Sequence, residues 1–147
     1  MPATFVYPFT KVDSEIIRPM VPVIIENPFT NLKFGVYALL DTGADACLFP
    51  AFIPNNTGHN LKHQNVKTNV NVGIEGNKMP TWKHTFKIHL LEFGTNKVVW
   101  SAGRILIDCV DHDNVPPLLG GKGFLKHLNI RFNYKTSRIV IELPDKA

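Results

Sequence analysis

Two stretches of the chain alternate apolar and polar residues at a period of two. Val66, Thr68, Val70, Val72 and Ile74 interleave with Lys67, Asn69, Asn71 and Gly73. Further on, Trp82, His84, Phe86, Ile88 and Leu90 put a second set of side chains on one face. A period of two is the repeat of an extended strand, whose successive side chains point to opposite faces. Gly76-Asn77 turns the first run into the second, and Gly94-Thr95-Asn96 turns the second into Val98 to Ile107. Two consecutive hairpins are therefore expected in the middle of the chain.

The flanking segments read the same way. Met20 to Glu26 is short and β-branched, bounded by Pro19 and by Asn27-Pro28. Lys33 to Leu40 is an apolar run, Leu48 to Ile53 a shorter one limited by Pro50 and Pro54, and Asn55 to Gln64 a polar loop. The chain ends in two strand-like pieces, Ile130 to Tyr134 and Arg138 to Leu143. One helix is expected, Gly121 to Leu128, because Phe124, Leu125 and Leu128 share a face at helical spacing after a Pro-Pro loop. The expected fold class is all-β with one short C-terminal helix, as a single domain over residues 1–147.

Size and charge narrow the function. A chain of 147 residues buries roughly 68–70% of its unfolded surface and needs no staple. Its two cysteines, Cys47 and Cys109, are expected to be reduced and buried. The net charge of +4 is scattered, with no run dense enough for nucleic acid and no stretch long enough to span a membrane. The N-terminus lacks the basic and long apolar regions of a secretory signal, so a cytoplasmic location is expected, without nucleic-acid or membrane partners. His59 and His63, His84 and His89, and Cys109 with His112 do not form the repeated pairs of a metal site. No metal and no cofactor are expected.

One carboxylate stands out. Asp41-Thr42-Gly43 directly follows the apolar strand Val36-Tyr37-Ala38-Leu39-Leu40. Such a tripeptide alone arises by chance in roughly 3% of chains this long. An acidic side chain is expensive to desolvate, so its place at the end of an apolar strand needs a reason. The bland reason is an Asp that caps a turn.

The wider context supplies another. Leu39-Leu40-Asp41-Thr42-Gly43-Ala44-Asp45, followed by Leu48-Phe49-Pro50, resembles the active-site segment of the retropepsin-like aspartic proteases. Downstream, Pro117-Leu118-Leu119-Gly120 with Gly123-Phe124-Leu125 is similar to the family's hydrophobic-hydrophobic-Gly motif and the short helix after it, in the form common among bacterial members. The resemblance runs from about Arg18 to Leu143 and implies a closed, barrel-like acid-protease fold. It makes Asp41 the catalytic acid/base, with Thr42 bonding across a dimer axis. The Gly43 carbonyl and Asp45 would contact the substrate backbone, and Ala44 would leave the acid without a neighbouring hydroxyl. Gly73, Ile74 and Gly76 fall where the family places its substrate-covering flap, although Glu75 departs from its glycine-rich tip. Val115, Pro117 and Leu118 would line apolar subsites, or else form a rigid buried loop; Trp82 would line a subsite or pack on the core. Leu119 and Gly120 are the motif after the flap. Viral members carry an arginine directly after that glycine; here Gly121 and then Lys122 follow, with Lys122 able to supply the charge.

Carboxylate-only hydrolysis needs one group to take a proton from water and a second to donate one to the scissile carbonyl. The chain holds one Asp-Thr-Gly, and Asp108, Asp111, Asp113 and Asp145 lack its flanks. The expectation is a homodimeric aspartic endopeptidase acting on a peptide or protein substrate, one Asp41 from each copy. Thr4 to Phe9 and Arg138 to Leu143 would interleave between subunits. The rival is a non-catalytic peptide-binding or dimerisation module that keeps the fold.

Overall fold

The computed structural model describes residues 2–72 and 78–145. Along the chain run β1 (Thr4–Pro8), β2 (Thr10–Lys11), β3 (Ile17–Arg18), β4 (Met20–Glu26), β5 (Lys33–Leu40) and β6 (Leu48–Phe49). Helix α1 (Phe52–Asn56) comes next, then β7 (Thr68–Val72), β8 (Lys78–Leu91), β9 (Val98–Cys109) and β10 (Leu118–Leu119). A single 3-10 turn (Leu125–His127) precedes β11 (Asn129–Asn133) and β12 (Arg138–Glu142).

The main sheet has the order β4-β5-β10-β6-β9-β8-β7, and an extra pairing of β4 with β8 closes all but β7 into a ring. Local chemistry makes its hairpins. Between β4 and β5, the Asn27 carboxamide oxygen accepts the Phe29 N–H at 2.9 Å, and Asn31 takes the left-handed conformation. Between β8 and β9, Gly94 and Asn96 have positive φ and the Glu92 N–H donates to the Lys97 carbonyl at 2.7 Å. At the closing seam, His89 Nε2 lies 2.8 Å from Glu26 Oε1, and this hydrogen bond is the first cause holding the Glu26 carboxyl below its ordinary range. Val21, Val23, Ile25, Phe49, Phe86, Ile88, Leu90 and Leu119 fill the ring's interior.

Both middle hairpins are present, β7 with β8 and β8 with β9. The face expected of β8 is the buried one at His84, Phe86, Ile88 and Leu90, with Trp82 half-buried. The alternation before it behaves differently. Thr68, Asn69 and Val70 are all exposed, because β7 pairs only with β8, outside the ring, and has no core to face.

Two expectations about helices need correction. Phe52–Asn56 is helical, although Pro50 and Pro54 suggested only a clipped strand. Pro54 sits in the first turn, where its missing N–H is no loss, and the Asp113 carboxylate accepts the Phe52 N–H at 2.9 Å. The helix expected over Gly121 to Leu128 shrinks to its 3-10 turn. Gly123 has a φ of +87°, outside the right-handed helical region, so no helix runs through it from Gly121.

The chain ends form a separate sheet of order β1-β12-β11. Both edges of β12 are thus used within one chain, and it has none to interleave with a partner. Tyr7, Ile139 and Ile141 bury this sheet's inner face, and the Tyr7 hydroxyl donates to the Leu91 carbonyl at 2.7 Å, tying it to the ring. Burial, then the charge of Glu92, pushes that phenol upward. Cys47 and Cys109 are buried free thiols, as expected, and burial raises both. No helix among the described residues is long and apolar enough to cross a membrane.

Two histidines pin the polar loop after α1. His59 Nε2–H donates to the Thr85 carbonyl and His84 Nε2–H to the Leu61 carbonyl, each at 2.9 Å. The two rings lie 4.6 Å apart, with Phe86 packed edge-on against His59. Burial, the largest cause, pushes both imidazoles down against the pull of those carbonyls, and at His59 the charge of His84 adds to it. An unfolded His titrates near pH 6.5, so below about that pH the unfolded chain binds more protons than the folded one. Stability should therefore fall as pH drops from about 6.5 through the depressed folded values. Denaturant titrations across that window should show a flatter pH slope for His59→Gln/His84→Gln; parallel slopes would count against the account.

Candidate functional site

The site begins where β5 ends. The Leu39 N–H donates to the Pro117 carbonyl at 2.8 Å, the Leu40 N–H to Pro19 at 2.9 Å, and the Asp41 N–H to Leu119 at 3.0 Å. This places the DTG loop against the strand that carries the second motif, through the parallel pairing of β10 with β5. Asp41 Oδ1 accepts the Gly43 N–H at 2.9 Å, and the Asp41 carbonyl accepts the Ala44 N–H at 3.2 Å. Its second carboxylate oxygen has no hydrogen bond among the described residues. Asp41 is half-buried, while Thr42, Gly43 and Asp45 are exposed.

The two motifs, far apart in sequence, interlock through the main chain. The Gly121 N–H donates to the Ala44 carbonyl at 2.9 Å and the Lys122 N–H to the Asp45 carbonyl at 2.7 Å. A side chain at position 120 would put its Cβ 2.3 Å from the Ala46 oxygen and 2.9 Å from that of Ala44. Real Cβ atoms do not approach backbone oxygens so closely. Only glycine lets these two segments meet.

The structure brings together Asp41, Thr42, Gly43, Ala44, Asp45, Pro117, Leu118, Leu119 and Gly120. Pro117 is buried and acts as part of the rigid loop, its carbonyl holding β5; Val115 and Leu118 are half-buried, with side-chain surface open. Trp82 is half-buried against the core, with the Lys62 ammonium 4.9 Å from its ring centroid. Gly73, Ile74 and Gly76 lie outside the described residues, although β7 and β8 lead up to them with Val72 opposite Lys78. Lys122 does not supply a charge to Asp45. The hydrogen bond between those two residues is between main-chain groups, and their side chains form no ion pair among the described residues.

Sequence reasoning missed the carbonyls of Pro19, Ala44 and Asp45, which position the loop without any residue-type signature. The one readable trace of them was Gly120 itself.

No protein-family model matches the sequence, and no curated protein matches it. The fold does have counterparts among solved structures. A retropepsin-like aspartic protease from Rickettsia conorii superposes with a TM-score of 0.58, over 97% of this chain and 94% of that one, at 13% identity. The EIAV protease complexed with the inhibitor HBY-793 aligns over 76% of this chain and 88% of its own, with a TM-score of 0.42 and 21% identity.

Proposed function

We propose that this chain, which has the fold of retropepsin-like aspartic proteases, is an aspartic endopeptidase that works as a homodimer. One observation carries the reading. Asp41 is held through a single oxygen by the Gly43 N–H, on a loop locked by Gly120, while its other oxygen accepts no hydrogen bond among the described residues. An acid fixed in that way is oriented for proton transfer and not consumed by a structural role.

The chemistry follows from the pairing of two such acids. Carboxylates about 3 Å apart cannot both ionise, so the pair shares one proton. The ionised member takes a proton from water, which attacks the scissile carbonyl; the protonated member donates to the carbonyl oxygen. The tetrahedral intermediate collapses as the leaving amine takes up a proton, without a covalent enzyme intermediate. The chain supplies one DTG, so the second acid is Asp41 of another copy. The Thr42 hydroxyl, exposed and without a hydrogen-bond partner among the described residues, would bond across the two-fold axis. Leu118 and Val115 favour apolar side chains beside the cleaved bond.

The test is a peptide-library digest from about pH 3 to 8, with Asp41→Asn in parallel. A shared dyad requires specific activity to fall on dilution through the dimer dissociation constant. Activity strictly linear in enzyme far below that constant would refute it. Peptide binding without cleavage at any pH would favour a non-catalytic module instead. Position 44 tunes the optimum. In the family resembled, a hydroxyl there acidifies the catalytic Asp, and Ala44 has none to donate. Ala44→Ser is expected to move the acidic limb of the pH–rate bell downward, and an upward shift would contradict this.

A further inference from the structure

The sheet register sorts the side chains of β5, β10, β6, β9 and β8 onto two faces. Leu40 pairs with Leu119 and Phe49 with Cys109 on one face, and all four are buried in the core. One continuous row consists of Leu39, Leu118, Leu48, Asp108 and Lys83, joined by successive pairings. Directly paired residues point to the same face of a sheet, and neighbours along a strand to opposite faces. This row therefore occupies the face away from the core, where Leu39, Leu118, Leu48 and Lys83 are half-exposed. Asp41, two residues beyond Leu39, continues that face.

The row begins apolar and ends in an ion pair. Lys83 Nζ donates to Asp108 Oδ1 at 2.8 Å, with the carboxylate side chain 9% exposed and that of the lysine 28%. The negative partner lies underneath and the ammonium at the surface. Lys83 has N–H donors beyond the one Asp108 uses, and no second partner for them among the described residues.

We propose that Lys83, seated on Asp108, is a specificity residue for an acidic side chain of the bound peptide, several residues from the scissile bond. The inference rests on the endopeptidase reading for the position of the scissile bond. Strands in a sheet are about 4.8 Å apart, so Asp108 lies roughly 14 Å sideways from the Asp41 strand, about four residues of extended peptide. A peptide crossing this face from Asp41 passes Leu118 and Leu48, which accept apolar side chains, before reaching the ammonium. Asp108 orients Lys83 and makes the site a dipole with its positive end outward. A substrate carboxylate is bound there by charge-assisted hydrogen bonds, and a substrate lysine is repelled.

The experiment separates binding from cleavage. Fluorescein-labelled peptides of about ten residues, with an apolar centre and Glu, Gln or Lys at each outer position, are titrated against full-length Asp41→Asn protein by anisotropy. Glu should bind tighter than Gln by roughly five- to tenfold at positions three to five residues from the centre, and Lys weakest. Lys83→Met/Asp108→Leu, which replaces the pair with apolar side chains and avoids a stranded buried carboxylate, should bring the Glu/Gln ratio to about one. Lys83→Arg should retain the preference. No Glu preference, no peptide binding, or a preference that survives the double replacement would each overturn the subsite. If wild type cleaves no peptide while the charge preference is present, the endopeptidase reading falls and the subsite stands. If wild type cleaves without the preference, the subsite falls alone.

Discussion

Asp41→Asn is expected to lower kcat for peptide cleavage by about 10²–10⁴-fold or to the limit of detection, the range a positioned acid–base group contributes. In a dimer of the variant both acids are lost together. The carboxamide is the same shape as the carboxylate, and its oxygen can still accept the Gly43 N–H now bound at 2.9 Å. It cannot take a proton from water. The loop should therefore keep its geometry while the chemistry stops. The prediction has two readouts: turnover should collapse, and the denaturation midpoint should shift little, because Asp41 is only half-buried and forms no ion pair among the described residues. Cleavage that survives the substitution would remove the mechanism. A large loss of stability would mean that the carboxylate holds the fold, which is the turn-capping role for an Asp in this place.

Gly120→Ala is expected to be the most damaging conservative change in the chain outside the catalytic acid. The added methyl would sit 2.3 Å from the Ala46 oxygen, 2.5 Å from its carbonyl carbon and 2.9 Å from the Ala44 oxygen. All three are backbone atoms, so no side-chain rotation relieves the contact. Relief requires moving the segment from Ala44 to Ala46 away from β10, which breaks the bonds from Gly121 to Ala44 and from Lys122 to Asp45. Forced overpacking of this kind costs about 1–3 kcal/mol, and broken main-chain hydrogen bonds add to it. Urea denaturation should show a loss of at least about 2 kcal/mol, with peptide cleavage falling as the DTG loop shifts. Gly121→Ala is the control. Its Cβ would lie 3.3 Å from the Asp45 oxygen, a contact relieved by a few tenths of an ångström. Equal stabilities for the two variants would show that the close approach at 120 is not the lock.

Both predictions concern residues readable in the sequence. Asp41 announces itself as an acid closing an apolar strand, costly unless something special occurs there, whereas Gly120 was marked by the motif Leu118-Leu119-Gly120 that the resemblance picked out. The alternation of β8 was equally legible, since a strand with a core on one face only must repeat at two. The same alternation placed β7 correctly in its hairpin, yet Thr68, Asn69 and Val70 are all exposed. A period reports which side chains share a face, and not whether anything covers it.

The charged end of the groove face was not legible at all. Asp108 read only as an acid without a DTG's flanks, and Lys83 carried no signal of its own. They meet because β8 and β9 pair in one register, and they join the row of Leu39, two residues before Asp41, because β6 and β10 lie between. Each link is a long-range pairing of strands, and two of those strands have only two residues. So short a segment carries no periodicity to recognise. Helix α1 escaped for a related reason: five residues with a proline in the first turn have no helical pattern, and the carboxylate at its start comes from Asp113, far along the chain.

By itself, then, the sequence determined the strand-rich class, the middle hairpins and the acid that closes an apolar strand. These depend on local sterics and on the cost of misplacing a charge, which act within a few residues. The tertiary structure decided which strand edges meet. It paired β1 and β11 with β12 inside one chain, closed β4 onto β8, and set an ion pair on the face that carries Asp41. Those choices depend on packing whole faces together, a sum over contacts that no single segment contains.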